Sequence, residues 1–242
     1  MRIVVISATS AIARACISKW ADSADHEFLL VGRSAVKLKA IEADYSLRFP
    51  SSKFSSLAID LNSVSDISSL TESLARKPVD LALVAQGSLT EQSQASSELG
   101  YLEQQLELNV ISAGLFTESL AGLFDRQGFG TLGVIGSVAG DRGRAYNYSY
   151  GAAKAFLATY TEGLQQRFSG SKVRVCLIKP GPTATPMTSA HQGKMADPAD
   201  VAAVIVAGLA RGKRVIYAPK LWRIIMLAVR SIPFAIFKRL NF

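Results

Sequence analysis

The chain is nearly without cysteine and histidine. Cys16 and Cys176 lie far apart and form no CxxC pair. That excludes a disulfide scaffold and a cysteine-based metal site, and it fits a reducing, cytoplasmic compartment. His26 and His191 stand alone. Both read as surface or loop residues, and no metal is expected. With 18 glycines and 8 prolines in 242 residues, the chain is neither collagenous nor of low complexity. Long apolar runs are missing as well. The most apolar stretch, 221–237, is interrupted by Arg223, Arg230 and Pro233, whereas a membrane span needs about 20 mostly apolar residues. After Met1 and Arg2, the apolar run at 3–6 is too short for the core of a signal peptide.

Acid is missing from one region only. From residue 201 onward there are eight basic residues and no Asp or Glu, which equals the whole-chain excess of +8. The first 200 residues are therefore neutral. A nucleic-acid groove spread over the surface is not expected. A local anionic partner is.

What remains is 49% hydrophobic and 19% charged, enough for a sizeable core. Short runs rich in Val, Ile and Leu lie at 2–6, 27–31, 53–59, 79–84, 131–135, 173–178 and 214–218. They read as strands buried on both faces. Helical patterns separate them at 11–21, 35–49, 64–76, 98–124, 150–168 and 198–211, with N-caps at Ser34, Ser63 and Asp197, the last followed by Pro198. The alternation predicts an α/β fold: a doubly wound parallel sheet of the Rossmann type, about seven strands, helices on both faces, one domain over 1–220. Residues 221–242 read as a basic, apolar helical tail.

Ligands of such sheets bind beyond the carboxyl ends of the strands. The first of these turns holds Ser7, Thr9, Ser10 and Ile12. Ser7, Ala11 and Ala13 stand where a dinucleotide turn carries glycine, so the loop reads equally as a phosphate cradle and as a packed turn. After the second strand comes Arg33, with Lys37 one turn on, where an NAD site has an acid. A guanidinium there suits the 2′-phosphate of NADP(H). Asp60 and Leu61 after the third strand, and Gly87 after the fourth, lie on the same edge.

The fifth strand ends near Ser137; Tyr150 follows 13 residues later and Lys154 four after that. Four residues is about one helical turn, so Tyr150 and Lys154 share a face. An ammonium beside a phenol favours its anion, which brings proton exchange toward neutral pH. Ser137 is placed to hydrogen-bond a carbonyl. Asn109, inside an apolar helix, calls for a buried partner such as a water or a backbone carbonyl.

Asn109, Ser137, Tyr150 and Lys154, with Pro180-Gly181 and Thr185 after the sixth strand, resemble the short-chain dehydrogenase/reductase family over residues 1 to about 220. The resemblance implies that Tyr150 is the general acid, that Lys154 lowers its pKa and holds the nicotinamide ribose, and that Ser137 orients the carbonyl. It implies that Asn109 anchors a water in a proton relay and that Pro180, Gly181, Thr183 and Thr185 border the nicotinamide. Within the family, the run from Ser137 to Arg144, Asn147, Tyr150 and the tail are similar to decaprenylphospho-2-keto-ribose reductases. That implies an NADPH-dependent reduction of a lipid-phosphate-linked sugar ketone at the inner face of the membrane.

Several readings stay open at this level. Arg142 and Arg144 form either a clamp for a substrate phosphate or a solvated basic loop. The tail either lies on an anionic membrane surface or packs on the domain or a second subunit of a homo-oligomer. The protein is either a reductase for lipid-linked sugar ketones, a general reductase for soluble carbonyls, or a dinucleotide sensor without activity.

Overall fold

The computed structural model describes residues 1–188 and 193–240; His191 and the last two residues of the tail lie outside these. Seven strands form one parallel sheet: β1 (Arg2–Ile6), β2 (Glu27–Gly32), β3 (Lys53–Ala58), β4 (Leu81–Val84), β5 (Phe129–Ile135), β6 (Lys172–Pro180) and β7 (Val215–Ala218). Their spatial order is β3-β2-β1-β4-β5-β6-β7. All pairings are parallel, which forces each connection to cross a face of the sheet.

The crossings are α1 (Ala11–Ser23), α2 (Ala35–Arg48), α3 (Val64–Leu74), α4 (Gln92–Ser97), α5 (Leu99–Leu106), a π-helical segment (Glu107–Ser112), α6 (Ala113–Gln127), α7 (Tyr148–Arg167) and α8 (Pro198–Ala210). Ser34, Ser63 and Asp197 each accept a backbone N–H of the first turn they precede, as their positions predict. Residues 98–124 do not form the one helix expected. The segment breaks into α5, the π turn and α6.

Strand periodicity sorts the core into two layers. On β1, Ile3 and Val5 face α1, α2 and α8, while Val4 and Ile6 face α3, α6 and α7. Cys16 and Cys176 are buried in the first layer as free thiols. His26 lies in the loop between α1 and β2, as expected, but is buried there, with Nδ1 3.3 Å from the Met1 amino group and its ring edge-on to Phe28.

Beyond β7 the chain forms α9 (Trp222–Ser231) and α10 (Phe234–Phe237). Sequence alone reads this region as an appendage. In the structure Met226 of α9 is fully buried, and α9 lies against β7 and the 3₁₀ turn Val138–Asp141 that follows β5. Among the described residues no helix is long and apolar enough to cross a membrane.

Candidate active site

Because all strands are parallel, the turns after β1, β2, β4, β5 and β6 open on one edge of the sheet. Two cavities lie there, of about 480 and 500 Å³, and they share Ser10, Ile12, Gly87 and Thr185 as walls. They form one cleft with two ends.

The first end is cationic. Ser7, Thr9, Ser10 and Ile12 line it, together with Arg33, Lys37 and Leu61. No Asp or Glu faces it among the described residues. Ser7 has φ of 59°, the left-handed region that favours glycine. The backbone therefore makes the tight turn that glycine usually makes, and Ser10 N–H closes it onto the Ser7 carbonyl at 2.9 Å. The N-terminus of α1, whose first N–H groups have no helical partner, follows directly. Asp60 is not part of this wall. Its carboxylate accepts the Asn62 N–H at 2.9 Å, which closes its own loop. That hydrogen bond orders the loop after β3 beside Leu61, which does line the wall.

The second end carries the chemistry. Ser137, Tyr150 and Lys154 line it, with Pro180, Gly181, Thr183 and Thr185 opposite. Ser137 caps the 3₁₀ turn by accepting the Ala139 N–H at 3.1 Å. Two glycines let that turn lie flat on α7. A Cβ on Gly140 would stand 2.7 Å from the Lys154 carbonyl carbon, and one on Gly151 would stand 3.0 Å from the Ala139 oxygen. This close contact puts Ser137 beside Tyr150. The turn is clamped from below, where buried Asp141 pairs with Lys179 and accepts the Tyr217 hydroxyl at 2.9 Å.

Tyr150 and Lys154 sit one turn apart on α7. Burial pushes the Tyr150 phenol up to about 12, and the Ser137 hydroxyl beside it pulls the other way. Burial brings Lys154 down to about 8. Its ammonium donates to the carbonyls of Gln86 and Ile135, both at 3.3 Å. Burial of Tyr150 therefore acts against the lowering expected from the neighbouring ammonium.

Asn109 does not line the cleft. It is fully buried in the π turn, where its Oδ1 accepts the Ser88 N–H at 2.9 Å. Its partner is thus a backbone donor of the loop after β4. Gly87 has φ of 146°, and a Cβ on it would lie 2.8 Å from Lys154 Nζ and 2.9 Å from Asn109 Oδ1. The positive φ and missing Cβ of Gly87 leave room beside the loop for both the Lys154 ammonium and the Asn109 amide oxygen.

The two loop arginines separate. Arg144 is buried and lines the catalytic end, with Nη2 3.6 Å from Met226 Sδ. Arg142 turns away from it. Its Nη1 donates to the carbonyls of Val229 and Ile232 at the end of α9, the latter at 2.7 Å, and its guanidinium carbon lies 3.7 Å from the Phe237 ring centroid. A helix C-terminus collects unsatisfied carbonyls that attract a cation. Arg142 is therefore corrected from a substrate clamp to the anchor of the tail.

Sequence reasoning did not assign several of the lining groups to the site. Trp222, Ile225 and Val229 of α9 roof the catalytic end, and Asn147 lines it with a buried Oδ1 that has no hydrogen-bond partner among the described residues. The i, i+3, i+7 spacing of the first three was a signal of a buried helix face.

The short chain dehydrogenase family matches residues 1–196. An uncharacterized oxidoreductase of Streptomyces coelicolor is 34% identical over 166 residues, which cover 67% of this chain and 65% of that protein. The match thus spans just under two thirds of that relative's length. The acetoacetyl-CoA reductase of Allochromatium vinosum is 28% identical over 162 residues, 60% of this chain and 65% of the reductase. Among solved structures, a short-chain dehydrogenase from Sphingobium yanoikuyae in complex with NADPH is similar at a TM-score of 0.83 and 22% identity, covering 97% of this chain and 98% of its own. A short chain dehydrogenase from Burkholderia cenocepacia in complex with NADP is similar at 0.84 and 16% identity, covering 100% and 97%. The chain belongs to the short chain dehydrogenase family.

Proposed function

We propose that this member of the short chain dehydrogenase family is an NADPH-dependent reductase of ketones. The observation that carries the reading is the single cleft, with Ser137, Tyr150 and Lys154 at one end and Arg33 and Lys37 at the other. The residues fit NADP(H). The left-handed turn at Ser7 and the open N-terminus of α1 suit a pyrophosphate. Arg33 and Lys37, with no acid on that wall, suit a 2′-phosphate. When bound, the dinucleotide supplies a hydride to a carbonyl carbon.

The rest falls to the chain. Ser137 donates a hydrogen bond to the carbonyl oxygen and fixes it. As the C=O π bond opens, Tyr150 gives its phenolic proton to that oxygen, so one C–H and one O–H bond form. A buried, protonated phenol is loaded for this step at neutral pH. Lys154 stabilises the phenolate left behind. Asn109 holds the Gly87–Ser88 loop against Lys154 and acts as a positioning residue.

The substrate reading is a lipid-phosphate-linked sugar ketone of the 2-keto-pentose type. Asn147 Oδ1 is a buried acceptor on the cavity wall, suited to a sugar hydroxyl. Arg144 lends the same wall a cation. A polyprenyl-linked substrate stays at a bilayer, which brings the enzyme to the inner face of the membrane. The alternative, a reductase of soluble carbonyls with α9 and α10 used for oligomerisation, draws on the acetoacetyl-CoA reductase relative.

The test is NADPH oxidation with a polyprenylphospho-2-keto-pentose and with a short soluble ketone. The expected result is faster turnover of the lipid-linked substrate. Tyr150→Phe is expected to lower kcat by about 10²–10⁴-fold while NADPH binding survives. Preference for the soluble ketone would favour the alternative. Tight NADPH binding with no turnover of either would leave a sensor.

A further inference from the structure

A cavity of about 790 Å³, larger than either end of the cleft, runs along the outer edge of β7 between α7 and α8. β7 pairs only with β6, so its other edge is open. Arg211, Lys213, Arg214, Lys220, Arg223 and Arg230 line this cavity against one acid, Glu162. A seventh cation, Lys179, is already neutralised by Asp141. None of the six takes part in an ion pair among the described residues. So dense an uncompensated charge selects an anion.

The neighbouring surface says which kind. Arg223 and Arg230 are two turns apart on α9 and share a face, with Leu227 between them. Leu227 is 63% exposed, and the adjoining stripe presents Leu221 at 62% and Ile224 at 68%. On α10, Phe234 is 72% exposed. The inner face of α9 is already covered, since Met226 is buried and Trp222, Ile225 and Val229 roof the catalytic cavity. A helix covered on one side normally turns polar residues outward; this one turns apolar residues outward beside a row of cations.

Two occupants match an apolar face, a second copy of the chain and a bilayer. A twofold copy seated on this edge would set the six cations against their own symmetry mates. An anionic bilayer complements both halves of the surface. We infer that the basic β7 edge and the outer faces of α9 and α10 form one docking surface for an anionic membrane. Headgroup phosphates occupy the β7 cavity, and Leu221, Ile224, Leu227 and Phe234 enter the acyl boundary. The roof of the catalytic cavity is then the membrane-contacting helix itself. The inference rests on the membrane part of the proposed function and is independent of the substrate.

The test is co-sedimentation of the full chain with phosphatidylglycerol–phosphatidylcholine vesicles and with phosphatidylcholine alone. The expected result is binding to the first only, reversed by salt. Arg211→Gln/Lys213→Gln/Arg214→Gln is expected to weaken binding by about 100-fold at low salt. Ile224→Ser/Leu227→Ser is expected to weaken it as well. Both variants replace exposed side chains, so melting and NADPH affinity serve as controls for folding. Activity on a soluble ketone is read in parallel: variants that lose vesicle binding and keep activity support the docking surface, whereas wild-type protein that is active yet does not bind vesicles counts against the docking surface and not against the reductase. Wild-type protein that ignores anionic vesicles overturns the inference. So does saturation by glycerol 1-phosphate without vesicle binding, which marks a free-phosphate site. So does a dimer that the charge variant dissolves, which marks a self-interface.

Discussion

The Lys154 ammonium lies 5.6 Å from the centroid of the Tyr150 ring, one turn along the same helix. Both groups are shifted by burial, in opposite senses. The phenol moves up to about 12 and the ammonium down to about 8. At neutral pH the acid is therefore protonated while its neighbour is still charged. The rate of ketone reduction is expected to hold through neutrality and fall as pH rises through about 8, when Lys154 loses its proton. A kcat profile measured at saturating NADPH checks this. A profile flat into the ordinary lysine range would show that the charge on Lys154 is not needed.

The same shift bears on stability. The unfolded chain holds the Lys154 proton more tightly than the fold does. The penalty is full below about pH 8 and disappears as pH rises toward the ordinary value of 10.5. Lys154→Met removes that penalty, about 3 kcal/mol, and strands the Gln86 and Ile135 carbonyls at about 1 kcal/mol each. The variant is expected to be inactive, and its stability relative to the wild type is expected to decline as pH rises from about 8 toward 10.5, because only the wild type sheds the penalty over that range. Thermal melts of both proteins across that range read the trend, and a Tm difference independent of pH would contradict it.

Arg33 is exposed on the cationic end of the cleft, with Lys37 on the same wall. Arg33→Asp exchanges a guanidinium that pairs a 2′-phosphate for a carboxylate that pairs a 2′-hydroxyl. NADPH affinity is expected to fall by about 10- to 100-fold, the range of one charge-assisted hydrogen bond, and NADH affinity to rise. Fluorescence titration with both dinucleotides decides it; equal wild-type affinities would remove the role given to Arg33.

Gly181 and Trp222 fix how the tail helix sits on the cofactor-side loop. A Cβ on Gly181 would lie 2.0 Å from the Trp222 Nε1, so Gly181→Ala has to displace the indole and lift α9. Turnover is expected to drop and proteolysis within 221–240 to speed up, with the sheet still melting cooperatively. Adding Trp222→Ala is expected to recover part of the loss of cavity geometry, and a double-mutant cycle measures that coupling. Additive effects would mean that the two residues do not act on one another.

Local chemistry was sufficient for much of this protein. Apolar runs of strand length, helical periods between them, and caps at Ser34, Ser63 and Asp197 identify the elements, because each signal is contained within a few residues. The spacing of Tyr150 and Lys154 was legible for the same reason, since helix geometry alone puts them on one face. Arg33 could be placed because a strand end in a parallel sheet has a defined outlet.

Other features depend on segments far apart in the chain. Arg142 reads like Arg144, and only the approach of α9, some ninety residues on, gives one of them a set of carbonyls to cap and the other a cavity wall. Asn109 in its apolar setting calls for a buried partner, but that the partner is the Ser88 N–H is decided only when the loop after β4 packs against the π turn. Ser7 stands where such a turn carries glycine, but only the folded turn shows that its backbone keeps the left-handed conformation. The pKa order of Tyr150 and Lys154 follows from how much water the packed cleft excludes, a quantity no spacing contains. Propensity and periodicity act within a turn or two of backbone. Burial, and the partners it demands for every polar group, are set only when distant elements close over one another.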